Sequence, residues 1–220
     1  MKTNEFYFQF NVSQEQINYA NKLVDYSIEN HPVSDIFSND PGGKARQREF
    51  RFTGTLGEIV FADSYDLERP KKSFGAVDGQ DYGQDFLLSM NGLELSFDIK
   101  TMGRKNNQFR ENYVLNLPKY QMERNSVITD YYYCISLHKD LNDNYIASFI
   151  GYVSKKDIQS NKIGILYKAG TKRIKDDGGF FIFQRDTYEI DFKDIKTPLL
   201  NDKIKKFPNF QTKQILPPFK

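Results

Sequence analysis

The amino-acid sequence predicts a mixed α/β (α+β) fold in which a central mixed β-sheet is flanked by helices. Three observations support this class: two helix-period segments in the first third, a strictly alternating hairpin in the middle, and two apolar β-rich runs after it. The length of 220 residues suits one domain with a sizeable core, and an aromatic content of 15% argues against a disordered chain. We expect a single domain over residues 1–220, with its core at about 50–155 and a basic C-terminal extension at about 155–220.

The first predicted helix begins near Ser13, which forms a capping-box pattern with Gln16. Apolar residues follow at helical spacing, and Pro32 ends the pattern. The aromatic run at residues 6–10 just before it indicates a short strand or a cap.

Residues 55–67 predict a second helix, with Thr53 or Thr55 as its N-cap and Gly57-Glu58 in its first turn. At that place the carboxylate of Glu58 would interact favourably with the positive end of the helix dipole. Helix capping is therefore the simplest explanation of this glutamate from the sequence.

The predicted hairpin lies at the centre of the chain. Residues 93–100 alternate strictly between apolar and polar side chains, which is typical of a strand with one buried face. Residues 86–90 form a second such run, and the Asn-Gly pair at 91–92 is favoured in a two-residue type I′ turn. This turn places Phe86 opposite Phe97 and gives the hairpin one apolar face.

The same register places two acids on the other face of the hairpin, Asp85 directly opposite Asp98. Like charges at this spacing destabilise a sheet, whereas a divalent cation between them would reverse the effect. Lys100 lies two residues after Asp98 on the same face. A metal held by carboxylates, with an ammonium group nearby, is what phosphodiester hydrolysis requires.

The motif formed by Asp85, twelve intervening residues and the Asp-Ile-Lys at 98–100, with a Gly-Glu pair at 57–58 upstream, resembles the PD-(D/E)XK nuclease superfamily. The resemblance covers about residues 54–101 and rests on a short motif. Gln84 stands where the family often has proline, and aspartate takes a position more often filled by glutamate.

The resemblance implies a restriction-endonuclease-like core and Mg²⁺-dependent hydrolysis, with Mn²⁺ as a further candidate metal. Asp85 and Asp98, with the backbone carbonyl of Ile99, would hold the metal. Glu58 would bind a second ion or a water molecule. Lys100 would position or activate the attacking water. Asp78 and Asp81 are lower-ranked ligand candidates, because they precede the hairpin in a glycine-rich loop.

The remaining segments extend the predicted sheet. Residues 131–137 and 145–153 predict strands, and residues 116–125 predict a helix. A short capped helix is expected at residues 154–162, and a final strand or hairpin at residues 180–192.

Charge is distributed unevenly along the chain, with a net −5 over residues 1–154 and +7 over residues 155–220. A basic C-terminal third beside an acidic centre suits a nuclease, although a lysine-rich solvated surface is an equally ordinary explanation. The candidate nucleic-acid contacts share a cationic or amide side chain in a basic segment: Lys44, Arg46, Arg48, Arg104, Lys105, Gln121, Lys172 and Arg173.

Double-stranded DNA is the expected partner, and the resemblance also raises the possibility of a homodimer. The lone cysteine, Cys134, suits a reducing cytoplasm, and no run has the length and apolarity of a membrane span. His31 and His138 have no partner at ligand spacing, so a histidine-based metal site is not expected.

Two alternatives remain open at the level of sequence. The chain could be a nucleic-acid-binding module of the same fold without catalysis, or a protein-interaction domain of inhibitor or immunity type that uses its tyrosines as anchors.

Overall fold

The computed structural model of the protein describes residues 4–30, 43–72, 85–90, 92–105, 113–123, 128–174 and 178–215. These residues form a six-stranded mixed sheet, a three-stranded antiparallel sheet, a two-stranded ribbon and two long helices. The predicted mixed α/β class is confirmed. Asp78, Asp81 and His31 lie outside the described residues.

The described elements are, in chain order, β1 (Phe6–Asn11), α1 (Gln14–Asn30), α2 (Gly43–Ser64), β2 (Phe86–Met90), β3 (Leu93–Gly103), β4 (Val114–Pro118), α3 (Lys119–Glu123), β5 (Tyr131–Lys139), β6 (Tyr145–Ser154), α4 (Lys155–Gln159), β7 (Ile165–Tyr167), β8 (Lys172–Ile174), β9 (Phe180–Ile182), β10 (Thr187–Asp191) and β11 (Gln211–Gln214).

The main sheet has the strand order β11-β1-β6-β5-β3-β2. Strand β3 runs parallel to β5, and the other neighbouring strands of this sheet are antiparallel. Strand β5 is buried over seven consecutive residues, Tyr132–His138, because both faces of the sheet are covered. The C-terminal third is built into both sheets, since β11 pairs with β1 and β10 pairs with β4.

Helices α1 and α2 cover one face of the main sheet, where the buried side chains of β3 meet Phe61 of α2. The predicted capping box is confirmed, because the Ser13 N–H donates to the Gln16 side chain at 2.9 Å and the Gln16 N–H donates to the Ser13 hydroxyl at 3.2 Å. The two helices are joined by Arg48 of α2, which forms an ion pair with Asp25 of α1 at 2.8 Å.

Helix α2 begins at Gly43, so the prediction that Thr53 or Thr55 caps it is wrong. The cation-rich segment before residue 53 is helical because it packs against α1, where Arg51 donates to Ser27 at 2.8 Å. Thr55 is fully buried inside the helix. Glu58 therefore lies several turns after the helix start, too far from the N-terminus for the dipole to stabilise its charge.

The other face of the main sheet is covered by the second sheet, of order β4-β10-β7, rather than by long helices. Residues 116–118, the start of the predicted helix at 116–125, instead form the end of β4, whose burial alternates with period two. The helical part of this prediction within the described residues is α3. The predicted hairpin at 180–192 forms two strands with different partners, β9 with β8 and β10 with β4 and β7.

Three further predictions hold. Strand β1, strands β5 and β6, and the short helix α4, whose N-cap is Ser154, form where the sequence indicates. Among the described helices, none combines the length and the apolarity that crossing a membrane requires.

Candidate active site

The hairpin of β2 and β3 has the register that the Asn-Gly turn predicts. Met90 pairs with Leu93, Leu88 with Leu95, and Phe86 with Phe97. The regular ladder ends there, and the two acids stand at this end of the hairpin.

Asp85 leaves the register by one position. Its N–H donates to the Phe97 carbonyl at 2.9 Å, so Asp85 and Phe86 both face Phe97, as in a β-bulge. The predicted placement of Asp85 directly opposite Asp98 is therefore corrected. Instead, the Ile99 N–H donates a hydrogen bond to Oδ2 of the Asp85 carboxylate at 2.6 Å. The carboxylate thus takes the place of the backbone carbonyl that would accept this bond in a regular ladder.

The electrostatic surroundings of Asp85 show that the acids are nevertheless gathered. Its carboxyl group is enclosed by protein, although the residue keeps some contact with solvent. Burial, followed by the charges of Asp98 and Glu58, raises the pKa of Asp85 well above its ordinary value of 3.8. The Lys100 ammonium and the hydrogen bond from Ile99 oppose this rise in pKa.

Asp98 and Lys100 share one face of β3, as alternation predicts, and form an ion pair with Nζ 2.8 Å from Oδ1. Their side chains are 18% and 17% exposed, so the pair is shielded from bulk water but reachable. The Lys100 ammonium also lies 5.7 Å from the centre of the Tyr132 ring on β5. Tyr132 is the residue that pairs with Asp98 across the parallel ladder.

Glu58 is brought to the site from the opposite face by the close approach of α2 to β3. A Cβ on Gly57 would overlap the Thr101 side chain, so a glycine is required where the helix crosses the strand. Glu58 follows directly and is 6% exposed. The negative charge of Glu58 contributes to raising the pKa of Asp85.

The site therefore combines three carboxylates with one ammonium group. Among the described residues, no set of three or more His, Cys, Asp or Glu side chains is arranged to hold a metal ion. Mg²⁺, however, is commonly bound by one or two carboxylates, with water and phosphate oxygens completing its octahedron. The excess negative charge around Asp85 and Asp98 fits such a cation.

The Ile99 carbonyl also fits this ligand set. In a strand the N–H and C=O of one residue point to the same side, and the Ile99 N–H points to Asp85. Its carbonyl is thus directed to the edge where Asp85 lies.

Two predicted nucleic-acid contacts bind within the protein. Arg48 is held by Asp25 and by Asn21, the latter at 2.9 Å. Arg104 donates to Ser136 and to the Val114 carbonyl, each at 3.1 Å, and stacks 4.2 Å from the centre of the Tyr113 ring. Burial lowers the pKa of Arg104.

The other predicted contacts differ in exposure. Arg46 and Lys105 are exposed, and Gln121 is half-buried, with its amide donating to the Tyr120 hydroxyl at 3.3 Å. The side chain of Lys44 lies outside the described part of the structure.

The ribbon of β8 and β9 carries the last two predicted contacts. Lys172 is exposed and places its ammonium 4.0 Å from the centre of the Phe180 ring, whereas Arg173 is paired with Glu189 at 2.8 Å.

Sequence reasoning missed Tyr132 and the contact between Gly57 and Thr101. The β3–β5 register that places Tyr132 beside Asp98 joins segments more than thirty residues apart and leaves no local signal. The contact at Gly57 could have been anticipated from the sequence, since an isolated Gly inside a helical pattern often marks a close packing contact.

In comparisons with known proteins, no family model, no curated protein and no solved structure matches this chain. The fold and site define a mixed α/β protein with an acidic, lysine-containing cluster where β2 meets β3.

Proposed function

We propose that the protein is a metal-dependent nuclease that hydrolyses phosphodiester bonds of nucleic acid, with double-stranded DNA as its substrate and endonucleolytic cleavage as its reaction. The observation that carries the proposal is the contact between Lys100 and Asp98 beside the carboxylate of Asp85. A bound Mg²⁺ or Mn²⁺ would polarise the phosphoryl oxygen and lower the pKa of a water molecule.

Each residue of the site has a role in this proposal. Asp85, Asp98 and the Ile99 carbonyl would hold the cation, and Glu58 would orient a water molecule or a second ion. Lys100 positions the attacking water and neutralises the charge that develops on the phosphate. The Lys100 ammonium pairs with Asp98 in this structure, so it would have to move away from that carboxylate for Asp98 to hold a cation.

Substrate binding is assigned to the cations that remain exposed. Lys105 follows β3 by two residues and Lys172 lies on the ribbon, whereas Arg48 is paired with Asp25 and Arg104 is held by the Val114 carbonyl. Phosphate contacts of this kind position nucleic acid without reading its sequence. A second copy of the chain would supply the second site for cutting both strands.

A cleavage assay tests the proposal. Purified protein is incubated with supercoiled plasmid and with single-stranded DNA, in Mg²⁺, Mn²⁺ or EDTA, and the products are separated on a gel. Cleavage in either metal but not in EDTA, lost in Asp98→Asn, is the expected result. Asp202→Asn is the matched control, because Asp202 forms an exposed pair with Lys205 at 2.9 Å, away from the hairpin.

The assay also separates the alternatives. Salt-dependent DNA binding without cleavage in either metal would indicate a binding module. Absence of both binding and cleavage would indicate a protein-interaction domain.

A further inference from the structure

The hydroxyl group of Tyr132 is buried with no hydrogen-bond partner among the residues that the structure describes. The residue is 0% exposed. A buried hydroxyl left unpaired destabilises the folded state, and most buried polar groups in native proteins are paired. This hydroxyl is therefore available to accept a hydrogen bond from a group that moves to it.

The surroundings of Tyr132 limit what that partner is. Tyr132 pairs with Asp98 across the β3–β5 ladder, so both side chains lie on the same face of the sheet. Burial and the negative charge of Asp98 raise the pKa of the Tyr132 phenol, which keeps it protonated. The Lys100 ammonium lies on its ring, 5.7 Å from the ring centre.

A divalent cation bound by Asp98 would compete with Lys100 for the same carboxylate. The ammonium is 2.8 Å from Asp98 Oδ1, and a cation bound there excludes it by charge and by volume. The displaced ammonium needs an acceptor, because a partly buried charge without a partner is costly. The Tyr132 hydroxyl has lone pairs to offer, and the ammonium already lies 5.7 Å from the centre of the ring that carries it.

We infer that Tyr132 is a positioning residue of the proposed metal site: its hydroxyl accepts the Lys100 ammonium when Asp98 takes a divalent cation. The inference rests on the proposed function. Lys100 would thus have two positions, one paired with Asp98 as in this structure and one beside the Tyr132 hydroxyl when a cation is bound. The second position keeps the amine beside the reacting phosphate.

Tyr132→Phe tests the inference with the full-length protein, because it removes the hydroxyl alone. Without metal, the thermal unfolding midpoint stays equal or rises, since an unpaired buried hydroxyl is lost. The dissociation constant for Mn²⁺, measured by calorimetry with MnCl₂, rises about tenfold, the equivalent of one hydrogen bond to a charged group. In cleavage, kcat falls while KM for DNA is unchanged.

Tyr133→Phe is the matched control. Tyr133 is also fully buried and lies on the opposite face of β5, and its hydroxyl hydrogen-bonds with that of Tyr65 at 2.9 Å. Its loss lowers the unfolding midpoint and leaves Mn²⁺ affinity unchanged.

A double-mutant cycle shows whether Tyr132 acts through Lys100. Lys100→Met removes the competitor of the cation, so Mn²⁺ binds more tightly, and adding Tyr132→Phe then changes nothing further. Equal Mn²⁺ affinity in wild type and Tyr132→Phe overturns the inference. The inference is also overturned if Tyr132→Phe changes the Mn²⁺ affinity equally in the wild-type and Lys100→Met backgrounds.

The proposed function and this inference fail separately. A wild-type protein that cleaves DNA, with a Tyr132→Phe variant that matches it in kcat and Mn²⁺ affinity, overturns only the inference. If the wild-type protein binds Mn²⁺ and shows the coupling between Tyr132 and Lys100, but does not cleave nucleic acid, only the proposed nuclease function is overturned. Absence of Mn²⁺ binding overturns both.

Discussion

Gly57 on α2 meets Thr101 on β3 so closely that any side chain on the helix residue would overlap the threonine. This contact sets how near the helix lies to the hairpin, and thereby where Glu58 stands relative to Asp85. Gly57 therefore affects both the packing of α2 on β3 and the position of Glu58 in the proposed active site.

Gly57→Ala is expected to destabilise the protein by about 1–3 kcal/mol, because an added methyl group forces the helix and strand apart. Glu58 moves with the helix, so metal-dependent cleavage should fall as well. Urea denaturation measures the first effect. Gly103→Ala is the control, since a Cβ there lies 3.3 Å from the Thr53 hydroxyl, which can adjust. Equal losses in both variants would contradict the steric explanation.

The raised pKa of Asp85 predicts how stability depends on pH. Because the folded protein holds this proton more tightly than the unfolded chain, metal-free stability falls as pH rises from about 3.8 through the folded pKa. Asp85→Asn keeps an acceptor for the Ile99 N–H and has no charge to form. The variant should therefore gain stability relative to wild type as pH rises. The gain is about 1.4 kcal/mol for each pH unit by which the folded pKa of Asp85 exceeds its unfolded pKa.

Urea midpoints between pH 4 and pH 8 in EDTA measure this difference. Asp202→Asn, at an exposed carboxylate whose pKa is lowered by Lys205, should show no such gain. A constant difference between wild type and Asp85→Asn across this range would show that neither burial nor the neighbouring charges raise the pKa of Asp85.

Arg104 and Lys105 are expected to behave oppositely although they are adjacent. Arg104→Met should lower stability by about 2 kcal/mol, since it leaves the acceptors on Ser136 and Val114 unpaired, and should leave the salt dependence of DNA binding unchanged. Lys105→Ala should leave stability unchanged. It should make the dependence of DNA affinity on salt concentration less steep, by the equivalent of about one phosphate contact. The reverse pattern would restore Arg104 as a phosphate contact.

The sequence was most informative where structure is local. The Asn-Gly turn determines the register from Phe86 to Phe97, and alternation places Asp98 and Lys100 on one face. It was least informative where distant segments meet. The sequence did not indicate the hydrogen bond from the Ile99 N–H to the Asp85 carboxylate, nor the β3–β5 pairing that places Tyr132 beside Asp98. Charge alone also gave no sign that Arg48 and Arg104 form contacts within the fold, because cations that pair inside a fold look the same in sequence as cations that bind phosphate.

The most direct measurement of the central claim is the single-turnover rate of DNA cleavage in Mg²⁺ for wild type, Lys100→Ala and Lys205→Ala. Lys100 and Lys205 each pair with an aspartate, at 2.8 and 2.9 Å, but Lys100 alone of the two lies beside Asp85. A loss of about 100-fold or more in Lys100→Ala, with Lys205→Ala equal to wild type, is the expected result. Cleavage by Lys100→Ala at the wild-type rate would contradict the assignment of the active site.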